Sequence, residues 1–192
     1  MNTGDIDRLR GLARRYADIA LGEGMRERER RAARHNGLSI VRPLVNVFEV
    51  PWGELASDPD LALRCRDGRA RRLEERLTRT LYQHGHFMAD YTLPPYFPVP
   101  VTLEGVGYGL TVEETTRESG TGSSIRAHEY HDQIPDIPSL ERIKMPALSL
   151  NEAETGANLE LAEAAFEGLL PVRREGVGLY CPMWDVIPTL HG

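Results

Sequence analysis

Apolar residues recur along the first third of the chain at helical spacing. Leu9, Leu12, Ala13, Tyr16 and Ile19 fall on one face of a predicted helix over 6–20. A second, highly charged helix is expected over Met25–Asn36, stopped by Asn36-Gly37. The run Pro43–Pro51 is short, β-branched and bounded by prolines. Its apolar positions do not alternate cleanly, as expected of a strand covered on both faces. Asp67–Tyr82 is amphipathic, with Ala70, Leu73, Leu77 and Leu81 inward and Arg and Glu outward. Phe87–Leu93 follows as a second strand. Strand, helix and strand in this order predict a βαβ unit and a parallel sheet.

The second half is more broken. Val106–Glu114 reads as extended, Glu118–Ser124 as a loop tip, and Ile125–His131 as the returning arm of a hairpin excursion. Pro135, Pro138 and Pro146 bracket a helical turn at Ser139–Lys144. Asn151 with Glu154 forms a capping box that opens a helix to about Gly168. Leu169–Arg173 is expected as a third core strand. Val177–Gly192 holds Tyr180, Cys181, Met183 and Trp184. Three strands do not close a barrel, and an eight-stranded barrel takes roughly 250 residues. The expected architecture is therefore α/β: an N-terminal helical segment over 1–41, then over 42–192 the first strands and helices of an incomplete (β/α)8 barrel of the TIM type, with a hairpin excursion after the second strand.

Composition narrows the class. At 192 residues and 41% hydrophobic content, the chain can bury one sizeable core. No apolar run approaches about 18 residues, which excludes a membrane-spanning helix as an expectation. Two cysteines are too few for a disulfide framework, and free thiols in a reducing cytoplasm are expected. The net charge of -6 is uneven: the first 80 residues carry 17 Arg against 13 acids, the remaining 112 only 6 bases against 16 acids. Arg26, Arg28, Arg30, Arg31 and Arg34 form a basic run, but Glu27 and Glu29 interleave with it. A Glu27–Arg31 pair at i,i+4 and a solvated helix face are expected, with no nucleic-acid partner.

Candidate chemistry concentrates at Asp90-Tyr-Thr-Leu-Pro-Pro-Tyr-Phe-Pro-Val-Pro100. Four prolines fix φ and remove donors, so this stretch is expected as a semi-rigid loop outside helix and central sheet. Tyr91, Tyr96 and Phe97 beside Asp90 fit a pocket wall with one polar group. The competing reading is a structural crossover in which Asp90 caps a turn.

A family resemblance rests on several runs in order. Arg42-Pro-Leu-Val-Asn-Val-Phe-Glu-Val-Pro-Trp-Gly-Glu-Leu55 resembles the first strand of a bacterial branch of the uroporphyrinogen decarboxylase superfamily, and Leu63–Asp67, Arg79–Tyr82 and Met88–Tyr91 continue the likeness. Gly107–Glu114, Tyr130–Gln133, Ile143–Pro146 and Leu170–Arg174 extend it along the chain. The superfamily joins porphyrinogen decarboxylases with zinc-dependent methyltransferases acting on corrinoid-bound methyl groups. Its common fold is a β/α barrel preceded by helices, of which this chain resembles the first half.

The resemblance puts Asp90 at the essential aspartate of the decarboxylases, where the carboxylate stabilises a protonated pyrrole. The decarboxylases also carry an Arg-Gln-Ala-Gly-Arg-Tyr motif that grips substrate carboxylates; this chain has Glu49-Val-Pro-Trp-Gly-Glu54 instead. An acidic, aromatic rim repels a polycarboxylate. Arg173 is the remaining strand-end candidate for an anion, with a salt bridge as its alternative. Trp52, Glu49, Tyr96, Cys181 and Trp184 are further candidates to line a small-molecule pocket. No metal ligands are assigned: His84 with His86, and His128 with His131, are read as surface or capping histidines. The resemblance implies no cofactor in this chain, with zinc and a corrinoid protein partner belonging to the complete enzyme. The expected role is corrinoid-linked methyl transfer to a small acceptor; the alternatives are porphyrinogen decarboxylation, or an inactive half-barrel that needs a partner.

Overall fold

The computed structural model describes residues 3–39, 42–118, 126–178 and 183–192. Helices α1 (Thr3–Ala20), α2 (Glu23–Asn36) and α3 (Gly68–His86) precede strands β1 (Phe97–Pro100), β2 (Leu103–Glu104), β3 (Glu114–Glu118), β4 (Arg126–Tyr130) and β5 (Ser149–Leu150). Helix α4 (Glu152–Phe166), strand β6 (Val172–Glu175) and helix α5 (Met183–His191) follow. The chain forms two compact units, Met1–Val99 with Thr155–Glu175, and Pro100–Glu154 with Gly176–Gly192. No helix among the described residues is long and apolar enough to cross a membrane.

The first unit is built on the helical stripes. Leu9, Leu12, Ala13 and Tyr16 of α1 join Ala70, Leu77 and Leu81 of α3 and Leu161, Ala162, Ala165 and Phe166 of α4 in one buried cluster. Asp67 caps α3 by accepting from the N–H groups of Arg69 (3.0 Å) and Ala70 (2.9 Å). Phe97 stacks on Phe166 at 4.4 Å between ring centroids, and Tyr16 meets both rings edge-on. That aromatic trio explains why the proline-rich stretch is not all loop. Phe97 and Val99 point into the core, and the segment forms β1, paired with β6. In a two-stranded sheet every strand is an edge, so Pro98 and Pro100 are tolerated.

The parallel three-strand sheet expected from the sequence is absent among the described residues, which form three two-stranded sheets instead. Among the described residues the fold is mixed α/β, with five α-helices, short strands and no closed barrel. Pro43–Pro51 and Phe87–Leu93 lie side by side as extended chain without becoming strands. The Asp90 N–H donates to Val45 O at 2.7 Å, but ladder formation stops there. The Val45 N–H is taken by the Asp90 carboxylate (3.0 Å) and the Val47 N–H by the Tyr91 hydroxyl (3.0 Å), which also donates to Val47 O. Side chains thus satisfy groups that a neighbouring strand would otherwise need. The third expected strand begins later, at Val172.

In the second unit β3 and β4 form the hairpin excursion, antiparallel, with Glu114 opposite Tyr130 and Glu118 opposite Arg126. Its first arm starts where the expected segment Val106–Glu114 ends. The loop tip falls largely outside the described residues. The turn after Pro138 forms over Pro138–Arg142. Asn151 Oδ1 accepts from Glu154 N at 2.8 Å, one arm of the expected capping box. The Asn151 N–H goes instead to Thr102 O, beside the β2–β5 pairing.

Candidate functional site

Asp90 sits at the meeting of three segments. Helix α2 presents Arg31, the chain after it presents Arg42, and the exit from α3 brings in Asp90 itself. Arg42 Nη1 donates to Asp90 Oδ2 at 2.8 Å and Nη2 to Oδ1 at 2.5 Å, a bidentate fork. Arg31 Nη1 donates to Oδ1 at 2.9 Å, and Val45 N to Oδ2 at 3.0 Å. An ionised carboxylate offers about four lone-pair positions, and four donors fill them. Asp90 is buried, with 8% of its surface exposed. The Arg42 fork holds its carboxyl well below the usual carboxylate range, aided by the Val45 N–H and Arg31 and opposed by burial. Arg31 therefore pairs with Asp90, and Glu27 lies 3.3 Å from Arg30, in place of the expected Glu27–Arg31 pair.

The other candidates spread over separate surroundings. Trp52 packs edge-on against Tyr82 at 6.0 Å and lies under Arg79 at 5.2 Å. Tyr96 donates its hydroxyl to Glu175 Oε1 at 3.0 Å, and Arg173 covers its ring at 4.4 Å. The Glu175 hydrogen bond pushes the Tyr96 hydroxyl up. Glu49 is exposed. Trp184 stands on α5 with 84% of its surface exposed, and Cys181 lies outside the described residues. Tyr96 and Arg173 are thus brought together. Asp90 shares no hydrogen bond or ring contact with them or with Trp52; its partners are Arg31 and Arg42.

The four histidines of the two close pairs each meet a different neighbour, and the buried His84 Nε2 has no hydrogen-bond partner. His84 Nδ1 is 3.4 Å from Arg28, and burial, then Arg28, lowers its pKa. His86 stacks on Tyr82 at 4.0 Å, His128 Nδ1 is 3.0 Å from Glu114, and His131 Nε2 is 2.7 Å from Thr115 Oγ1. Among the described residues no group of three or more His, Cys, Asp or Glu could hold a metal ion.

A second buried acid was not anticipated. Glu74 is fully buried; it accepts from Arg8 Nε, Arg64 N and Cys65 N, each at 2.8 Å. Burial pushes its carboxyl up, but Arg8 and the two N–H groups outweigh this and leave it below its usual range. Asp5, on α1, accepts from the N–H groups of Arg66 (3.2 Å) and Asp67 (3.0 Å). The signal was spacing: Glu74 falls four residues after Ala70 and three before Leu77, on the inward face. Burial, reinforced by Glu74, pushes the adjoining Cys65 thiol up to about 12. The thiolate is the reactive form, so native Cys65 is expected to resist iodoacetamide until the chain is unfolded. Peptide mass mapping before and after denaturant checks this, and rapid native labelling would refute it.

No protein-family model, curated protein or solved structure matches this chain. The observations define a mixed α/β protein with a buried, arginine-locked carboxylate where an extended segment follows α3.

Proposed function

We propose that this chain is the N-terminal part of a β/α-barrel enzyme of the uroporphyrinogen decarboxylase superfamily, acting in corrinoid-linked methyl transfer to a small acceptor. The ordered sequence resemblance supports the family. So does the lie of the two extended segments, 43–51 and 87–93, joined through α3 and touching at Val45 and Asp90. One observation carries the choice of branch. A decarboxylase aspartate must accept pyrrole N–H groups, yet all four acceptor positions of Asp90 hold arginine or backbone donors. A pyrrole would first have to displace an arginine. In the methyl-transfer reading Asp90 holds the first and second barrel segments and α2 in register, and the acceptor binds elsewhere. The resemblance assigns zinc and the corrinoid to the rest of the enzyme and its partner, so no step is routed through residues of this chain.

The test uses protein expressed from the uninterrupted reading frame. Given methylcobalamin and a small thiol acceptor, it should convert the methylcobalamin spectrum and methylate the thiol, while leaving uroporphyrinogen unchanged. Consumption of uroporphyrinogen without methyl transfer would reverse the choice.

A separate observation favours the half-barrel reading, in which this piece needs a partner. Val45, Val47 and Met88 lie on the two extended segments at 55%, 38% and 104% exposure. Large apolar side chains exposed on neighbouring segments are candidates for cover by a partner. The isolated chain is expected to self-associate in sedimentation velocity, and Val47→Lys with Met88→Lys should return it to a monomer. A wild-type chain that is monomeric at all concentrations tested would contradict this reading.

A further inference from the structure

The second unit holds a cleft that its own side chains do not fill. Ile137, Leu140 and Ile143, from the turn after Pro138, and Val186, Ile187 and Leu190 of α5 line a space of about 520 Å³. That volume falls within the range of small-ligand sites, which are likewise lined mostly by apolar side chains. Leu190 is buried, whereas Leu140 is 49% and Ile137 82% exposed. Apolar side chains gathered around one concavity mark a binding site, as singly scattered ones do not. Hydrogen bonds hold the walls in place. The Gln133 N–H donates to Leu190 O at 2.9 Å, tying α5 to the chain after β4. The Arg142 guanidinium donates to Gln133 O at 2.9 Å, and the Lys144 N–H to Tyr108 O at 2.7 Å. Gln133 is itself buried and donates its amide to Thr111 O at 2.8 Å. The cleft is therefore pre-formed.

Charge selects the ligand. The second unit carries 11 acidic residues against 4 Arg and Lys, so all of the chain's net charge of -6 lies on it. Arg117 and Arg126 pair with Glu129 and Glu118 on the hairpin, and Arg142 and Lys144 donate to main-chain carbonyls. None of these four bases lines the cleft, but Asp136 does. Its carboxylate accepts from the Ser139 hydroxyl and from the Ser139 N–H (3.0 Å), and has no cationic partner among the described residues. Those two donors hold the Asp136 carboxyl below its usual range, so it is ionised at neutral pH. His191, also in the wall, is engaged by Asp132 at 3.1 Å. Apolar walls with a fixed negative charge, on an acidic unit, attract a cation and repel an anion. We propose that the cleft binds a small organic cation, an amine or an onium ion whose apolar body fills the space and whose charge lies beside Asp136. A fatty acid or other anionic amphiphile is disfavoured by the same charge. The site does not depend on the barrel reading, since every residue in it belongs to the second unit.

Tetraphenylphosphonium and tetraphenylborate are the probes, because they share one shape and differ in the sign of their charge. Isothermal titration calorimetry of the full chain should show saturable tetraphenylphosphonium binding below about 1 mM, a weak-binding limit. Tetraphenylborate should bind at least about tenfold more weakly. Ile137→Arg, at an exposed position, sets a like charge in the cleft and should weaken tetraphenylphosphonium binding about tenfold or more, with the far-UV circular dichroism unchanged. Asp136→Asn keeps an acceptor for Ser139 and should narrow the gap between the two ions. Phe48→Ala, in the first unit, should leave both titrations as they are. The proposal is overturned if tetraphenylphosphonium does not saturate by about 1 mM, or if tetraphenylborate matches it. It is also overturned if either cleft substitution changes nothing, or if Phe48→Ala abolishes binding and so places the probe on the first unit. Tighter binding of an amphipathic Lys–Leu helical peptide than of tetraphenylphosphonium, lost in Ile137→Arg, would overturn it in favour of a protein partner.

Discussion

Glu74→Ala is expected to destabilise the first unit by about 3–5 kcal/mol, the cost typical of breaking a buried ion pair. The substitution leaves Arg8, itself only 29% exposed, without its carboxylate, and strands the N–H groups of Arg64 and Cys65. It also opens a cavity beneath the α1–α3 packing. Solvated pairs such as Arg30–Glu23 contribute at most about 1 kcal/mol each, so Glu74 outweighs several of them together. Urea unfolding should show a lower midpoint with an unchanged slope. Glu74→Gln should fall between, because an amide still accepts one of the backbone N–H groups.

The pH dependence follows from the same site. The folded Glu74 carboxyl lies below its usual value, so its stabilisation is present above the unfolded pKa of about 4 and is lost as pH falls below it. Asp90 acts in the same direction, and because its carboxyl is held well below its usual range its contribution is lost only at lower pH. Glu74→Gln should therefore flatten the acid limb of the stability profile. An unchanged limb would mean that Glu74 does not titrate between the folded and unfolded states.

The second large effect is expected at Asp90→Ala, about 2–3 kcal/mol, held down by the solvent that reaches the arginines. Arg31 and Arg42 lose their shared partner, and the Val45 N–H loses its acceptor. The segment 42–47 and α2 should loosen together, with faster amide exchange at Val45. A purely ligand-binding aspartate would instead lose activity at constant stability. Comparing thermal unfolding with exchange at Val45 distinguishes the two.

Much of the helical framework was legible in the sequence because its signals are local. The periodic stripes of α1 and α3, the Asn151 cap and the stop at Asn36-Gly37 all appear within a turn or two of the feature they specify. The strands were less legible. Pro43–Pro51 has strand composition, yet its N–H groups at Val45 and Val47 are satisfied by side chains more than 40 residues away. The proline stretch has loop composition, yet Phe97 and Val99 are drawn into the core by Tyr16 and Phe166. Both outcomes depend on partners distant in sequence, as sheet pairing generally does. Asp90 was singled out by its aromatic, proline-rich setting. Its saturation was not legible, because Arg31 looked committed to Glu27 and nothing local links Arg42 to position 90.

The Asp90 carboxylate is either a locked ion-pair centre or an available acid in a pocket. A carboxyl ¹³C NMR titration of the intact chain, with Asp90→Asn assigning the resonance, answers this most directly. The locked centre predicts that Asp90 stays ionised down to about pH 3, below the midpoint of an ordinary aspartate. An Asp90 midpoint at about 4 or higher would contradict it.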